Sequence, residues 1–337
     1  MAYLATKRFN YWSQLGILLV FSGFGAIIGS FASMIPLIGK IDLQHLSGTG
    51  MSELLDKFMK PENATALRWM QFISTLFLFF IPPVLYAWVC HKKPFTHLGF
   101  AHRIEIKNIA LVTVIMLVSL PLVSMLQELT EMLPWSKATL LQFKAAEDIY
   151  NKQVAVIARM NNFSDYVISI LVIAFLPALF EEILFRGALQ NLLSRWFKMP
   201  VLAIILTAAV FSAIHGSYLG FLSRFALGFI LGWVYNRTGN IWLNVFGHFV
   251  NNALAITVLY ATTKAGEAVD PSKVEEQYPL WIGFVGLVAV IVMLIVFDKL
   301  NKNETDRPGE EVLIPGYSFD DNPFVTNNPV QDAPEQQ

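Results

Sequence analysis

Runs of about 20 apolar residues recur along this chain, and they narrow its fold more than any other feature. A helix needs about 20 residues to cross a hydrocarbon core, where only helices and closed barrels satisfy their own backbone groups. Such runs lie near residues 14–38, 66–89, 109–128, 166–189, 200–215, 218–236, 241–261 and 280–297. They predict an all-α fold, a polytopic membrane helical bundle of about eight transmembrane helices. Composition agrees, since 55% of the 337 residues are hydrophobic, 15% are charged and mean hydropathy is +0.52. A soluble domain carries about 25% charged residues. The formal net charge of −1 argues against a nucleic-acid partner, and the single cysteine, Cys90, excludes an intrachain disulfide framework.

Lys7 and Arg8 precede a first run too long for a secretory h-region of about 7–15 residues, so it reads as an uncleaved first helix. Basic residues near the span ends favour both termini inside. Gly216-Ser217 separates the fifth and sixth runs, and Thr238-Gly239-Asn240 the sixth and seventh. Links this short make antiparallel neighbours, so the fourth to seventh helices form one compact group. Gly25 with Gly29, and Gly228 with Gly232, are small faces for close helix approach. Pro82-Pro83 and Pro121 predict kinks. Residues 129–165 are too polar to span, but Phe143, Ala146, Tyr150, Val154 and Ile157 recur at helical spacing. They predict an amphipathic helix at the interface or capping the bundle, the kind most often without specific function. The chain thus divides into N-terminal helices with the amphipathic segment (1–164), a core (165–262), a last transmembrane helix (263–300) and a polar, proline-rich disordered tail (301–337).

The fourth run ends in Phe180-Glu181-Glu182-Ile183-Leu184-Phe185-Arg186. An ionisable group at such depth costs roughly 2.5–3.5 kcal/mol on insertion scales, so three together need a reason. Glu182 and Arg186 stand at i and i+4 with the acid first, the favourable order for an ion pair that would fix the helix. Glu181 points about 100° away and lacks that partner, which suits a general base. Of the six histidines, His45, His91, His97 and His102 lie in loops, whereas His215 and His248 lie on the fifth and seventh helices. Asn252 shares the helix face of His248. A lone membrane histidine is usually a helix–helix hydrogen-bond partner. Two of them, with a same-face amide and a glutamate pair, point to chemistry. Arg224 either pairs with one of the glutamates or snorkels.

Glu-Glu-x-x-x-Arg (Glu181, Glu182, Arg186), Phe-x-x-x-His (Phe211, His215) and His-x-x-x-Asn (His248, Asn252), in this order on successive helices, resemble the CPBP intramembrane proteases. That group includes the type II CAAX prenyl endopeptidases and bacteriocin-processing or immunity proteins. The resemblance covers roughly residues 165–260, without departure at the motif positions. It implies an intramembrane endopeptidase acting on membrane-associated or lipidated substrates, with 165–262 as its protease-like core. Glu181 would activate water with help from His215, while His248 and Asn252 stabilise the oxyanion. Members are commonly called metalloproteases, and Glu181, His215 and His248 would be the His₂Glu set if zinc were used. No His-Glu-x-x-His is present. A metal-free glutamate base without cofactor is the favoured expectation, with zinc as the alternative.

The implied partners are a membrane-bound protein or peptide substrate and the lipid bilayer. The implied location is an integral, multi-pass one, the cell membrane if the source is bacterial. A non-proteolytic membrane scaffold or immunity factor on the same fold is the rival reading. A transporter would want inverted repeats, and the sequence has none. Depth is the test of convergence. At about 1.5 Å per residue, Glu181 and His248 fall roughly 10 Å from the inner face and His215 nearer 20 Å. The fifth helix is therefore expected to tilt, or to start outside the lipid with Leu192, Leu193, Trp196 and Phe197 along the interface before it.

Overall fold

The computed structural model describes residues 9–38, 58–100, 104–263 and 278–301. The predicted tail from 302 onward, His45, His102, Lys7 and Arg8 lie outside the described residues. The helices are α1 (Tyr11–Ser33), α2 (Ala64–Cys90), α3 (Pro94–His97), α4 (Ile106–Glu131), α5 (Lys137–Ile157), α6 (Phe163–Phe197), α7 (Pro200–Ile214), α8 (Phe221–Thr238), α9 (Ile241–Thr262) and α10 (Leu280–Leu300). Strands are absent among the described residues. All eight predicted runs are helical, and six helices among the described residues are long and apolar enough to cross a membrane: α1 extended to Leu37, α2, α4, α6, α9 and α10. α7 is apolar but shorter. α8 falls outside that group and carries Arg224 and Arg237.

Local chemistry sets the ends. Asn10, Asn162 and Asn240 each accept a backbone N–H of the first turn of α1, α6 and α9. α8 stops at Gly239, whose φ of 63° is the left-handed cap that glycine adopts without strain. The predicted proline kinks are absorbed differently. A proline ring strikes the carbonyl four residues back. For Pro82, Pro83 and Pro177 those carbonyls belong to Leu78, Phe79 and Ile173, all inside wide π-helical turns at Leu76–Phe80 and Ile170–Phe175. The widened turn makes the room. Pro121 lies within α4, which continues to Glu131.

α6 runs through the centre, with nearly every residue from Pro177 to Leu193 buried, and α9 packs along it. α4 binds α8, α9 and α10 from the other side through Val112, Ile115, Met116, Leu231 and Val234. The glycine faces do what their spacing predicts. A Cβ on Gly25 would collide with the Phe77 carbonyl oxygen, and one on Gly228 would lie 3.2 Å from the Ala208 side chain. α1 thus seats on α2, and α8 on α7.

His91 lies in the connection after α2, as predicted, whereas His97 ends α3; both are buried, at 1% and 2% exposure, with rings stacked 3.3 Å apart. The reason is the course of the connection after α2, which α3 folds back against the bundle. A Cβ on Gly187 of α6 would lie 3.0 Å from the Leu98 carbonyl oxygen, and the Gly99 carbonyl accepts the N–H of Ile241 at the start of α9. The connection is a wedge between the two helices that carry Glu181, Glu182 and His248. Asn191 Nδ2 donates to the His97 carbonyl at 2.8 Å, and Arg195 Nη2 lies 3.5 Å from His97 Nε2.

Burial first, then His91 and Arg195, hold the His97 imidazole well below the ordinary histidine range. In the unfolded chain His97 takes its proton near pH 6.5, while in the fold it resists, so the unfolded state binds more protons as pH falls through 6.5. This contribution is fully present above about pH 6.5 and is lost below it, by up to about 1.4 kcal/mol per pH unit. Thermal unfolding in detergent should therefore show a drop from pH 7.5 to 5.5 that is smaller in His97→Gln. Equal slopes for the two proteins would remove His97 as the cause.

Candidate active site

Glu181 and Glu182 end a regular stretch of α6, and a third wide turn, Ile183–Gln190, follows at once. π turns of this kind are frequent at functional sites. α6 does not stop near 189 as the apolar run suggests. It continues to Phe197, then reverses through Lys198, in the left-handed region at φ 54°, into α7. Leu192 and Leu193 are buried inside this helix rather than laid along an interface. Glu181 stands 16 residues before the end of α6, and His215 15 residues after the start of α7. In an antiparallel hairpin equal distances from the turn mean equal depth. The expected mismatch came from a helix end placed eight residues too early.

The structure brings Glu181, His215 and His248 together. Glu181 Oε2 lies 3.7 Å from His215 Nε2 and 3.9 Å from His248 Nε2. That oxygen is buried and has no hydrogen-bond partner. The other nitrogen of each ring is engaged. His215 Nδ1 meets the Phe211 carbonyl at 2.7 Å, and His248 Nδ1 meets Glu182 Oε1 at 3.0 Å. Carbonyl and carboxylate oxygens only accept, so each Nδ1 carries the proton and, in the neutral ring, each Nε2 is an acceptor. Three acceptors then face one point with no donor among them. The site calls for a water molecule or one further proton.

Glu182 and Arg186 form the predicted pair, with Nε donating to Oε2 at 3.0 Å, both fully buried. The Arg186 guanidinium lies over the Phe211 ring, 5.4 Å from its centroid, and the same ring meets His215 at 4.7 Å and His248 at 5.9 Å. Phe211 is thus the floor on which the three charged or titratable partners rest. Asn252 stands one turn beyond His248, half-buried, its Oδ1 accepting from Asn251 Nδ2 at 3.3 Å. Its own Nδ2 is left as a donor. Arg224 reaches neither glutamate; its guanidinium faces Tyr150.

The sequence reading missed Asn244. Its Nδ2 donates to Glu182 Oε2 at 3.3 Å and to the Leu231 carbonyl at 2.6 Å, tying α6, α8 and α9. The signal was present, because Asn244 precedes His248 by the same four residues by which Asn252 follows it. Two imidazole nitrogens and a carboxylate are the donor set of a catalytic zinc site. Among the described residues, however, no three His, Cys, Asp or Glu side chains are gathered as a metal ion requires.

Removing one partner of a buried pair leaves an uncompensated charge, at about 3–5 kcal/mol. Arg186→Leu should lose that much in unfolding experiments, and Glu182→Gln added to it should recover part. An Arg186→Leu protein as stable as wild type would show that Glu182 does not depend on the guanidinium.

Residues 163–254 match the family model described as type II CAAX prenyl endopeptidase Rce1-like. A protein of Bacillus subtilis (strain 168), named only as uncharacterized protein YpbD, is 33% identical over 89 residues, which make up 25% of this chain and 42% of that protein. The match therefore spans less than half the length of that relative. No solved structure matches. The matched residues run from the start of α6 into α9 and contain Glu181, Glu182, Arg186, Phe211, His215, Asn244, His248 and Asn252. With its apolar helices, this is an integral, multi-pass membrane protein. Over the segment that carries the site, residues 163–254, the chain is similar to the type II CAAX prenyl endopeptidase Rce1-like family.

Proposed function

We propose that this protein is an intramembrane endopeptidase that hydrolyses peptide bonds of membrane-associated or lipidated substrates, with Glu181 as general base. The observation that carries this reading is Glu181 Oε2, buried without a hydrogen bond and faced by the Nε2 atoms of two histidines. A water seated between Glu181 and His215 donates one hydrogen to each. Glu181 takes one proton as the water oxygen attacks the scissile carbonyl. The same proton passes to the leaving amine as the tetrahedral intermediate collapses, so the site is restored after each turnover.

The negative oxygen of that intermediate is met by Asn252 Nδ2 and by His248, which donates from Nε2 when it carries a second proton. Glu182 on Nδ1 fixes the direction of that ring. Donors held in place before charge develops contribute more than donors that must reorganise. No metal enters these steps.

General-base catalysis supplies typically 10²–10⁴-fold, so Glu181→Gln should lower cleavage of a prenylated test peptide by about that factor while the protein still folds. Cleavage as fast as wild type would reject Glu181 as base, whereas a wild-type protein that cuts no such peptide would favour a scaffold on the same fold. Metal is a separate measurement. Activity should survive a tight chelator, and purified protein should lack stoichiometric zinc. One zinc per chain, with activity lost on its removal and restored on return, would replace the metal-free mechanism.

A further inference from the structure

The site opens beside His215, whose side chain is 23% exposed against 9% for Glu181 and His248. From His215 the chain turns through Gly216, at φ 67°, and Ser217 to Gly220, where α8 begins. Ser212 Oγ donates to the Phe221 carbonyl at 2.6 Å, which ties the first turn of α8 to the last turn of α7. Arg224, one turn into α8, therefore stands at the rim of the opening. Its guanidinium folds back over Gly220, where any Cβ would overlap Nη1. Glycine is what leaves it room.

The far side of Arg224 is closed by α5. The Tyr150 ring lies 5.4 Å from the guanidinium carbon. α5 has no buried residue among its 21, yet it is fastened here. Glu147 Oε2 accepts from Ser217 Oγ at 2.7 Å, and Phe143 stacks on Tyr218 with ring centroids 4.6 Å apart. The carboxylate that α5 brings to this rim is thus taken by Ser217. Among the described residues Arg224 makes no ion pair, and its side chain makes no hydrogen bond. A half-buried guanidinium with five N–H donors is held by a ring and a glycine, beside the exposed edge of the site at His215, without an acceptor.

We propose that Arg224 is a specificity residue that receives a carboxylate of the peptide substrate. This rests on the peptidase reading above. The planar fork of a guanidinium matches a carboxylate in two parallel hydrogen bonds, and an aromatic face behind it restricts its motion. The peptide then lies from the Glu181 centre past Gly216 towards α5, with its anionic group on Arg224 and Tyr150 as the wall. The carboxylate is either the free C-terminus or an acidic side chain near it.

The test compares three prenylated peptides of one sequence in neutral phosphatidylcholine vesicles: a free acid, its carboxamide, and a carboxamide with a glutamate in the last position. Wild type should cut at least one carboxylate-bearing peptide roughly 10- to 100-fold better than the plain carboxamide in kcat/KM, chiefly through KM. Whichever carboxylate peptide is favoured identifies the source. Arg224→Gln should bring the ratio close to one, and Arg224→Lys should keep part of it, having charge without the fork. Equal cleavage of all three peptides by wild type would overturn the proposal whether or not any variant folds. So would an unchanged ratio in Arg224→Gln, or an Arg224 effect seen only when anionic lipid is added. Glu181→Gln separates the two readings, since it lowers cutting of every peptide alike, whereas Arg224 governs the choice among them.

Discussion

The Glu182 carboxylate is wholly buried, and both its oxygens are satisfied from two helices. Arg186, one turn along α6, and Asn244 of α9 share Oε2, while His248 of α9 takes Oε1. An ion of this size costs several kcal/mol to bury even after relaxation, and it persists only where charge and hydrogen bonds are supplied together. Supplying them sets α9 at a fixed height and rotation against α6. It also engages Nδ1 of His248, which turns Nε2 towards Glu181. The neighbouring glutamate is rotated about 100° on the same helix, away from the cation, and that rotation alone separates their surroundings.

Other parts of the fold serve the same register. The connection through Leu98 and Gly99 is wedged between α6 at Gly187 and α9 at Ile241, so the helices cannot slide without breaking it. Phe211 packs under Arg186, His215 and His248 together. On the opposite side contacts are of another kind. α5 has no fully buried residue; Val154 packs against the Ala158, Met160, Ile256 and Leu259 cluster, and the C-terminal end of the helix is tied where Arg68 Nε donates to the Ile157 carbonyl at 2.9 Å. The tightly packed half carries Glu181, His215 and His248, and α5 borders Arg224.

Much of this was legible in the residues because the governing physics is local. Apolar runs mark the helices, and i,i+4 spacing makes the Glu182–Arg186 pair before any tertiary contact exists. The amphipathic pattern of Phe143 to Ile157 places α5 correctly. What failed was wherever burial depends on the course of the chain. Leu192, Leu193, Trp196 and Phe197 suit an interface or a helix interior equally, so the end of α6 was placed too early and the depths of Glu181 and His215 disagreed. His97 looks like a loop residue but ends α3, and the burial of His91 and His97 has no local signal because their stacking exists only once α3 has folded back. Asn244 carried a spacing signal, but nothing local distinguishes a buried amide that bridges helices from one that caps a turn.

The sequence by itself determined that the chain forms apolar helices, that one of them carries a glutamate pair with a built-in counter-ion, and that two later helices carry histidines with a same-face asparagine. Each of these follows from composition and periodicity over a few turns. The tertiary structure alone decided that the carboxylate of Glu181 meets both histidines at one depth, that Glu182 also holds His248, and that Arg224 stands at the rim rather than on a glutamate. Those depend on where α6 ends and how α9 is rotated against it. The first is set by the reversal at Lys198, and the second by contacts between residues more than 60 positions apart, such as Glu182 with His248.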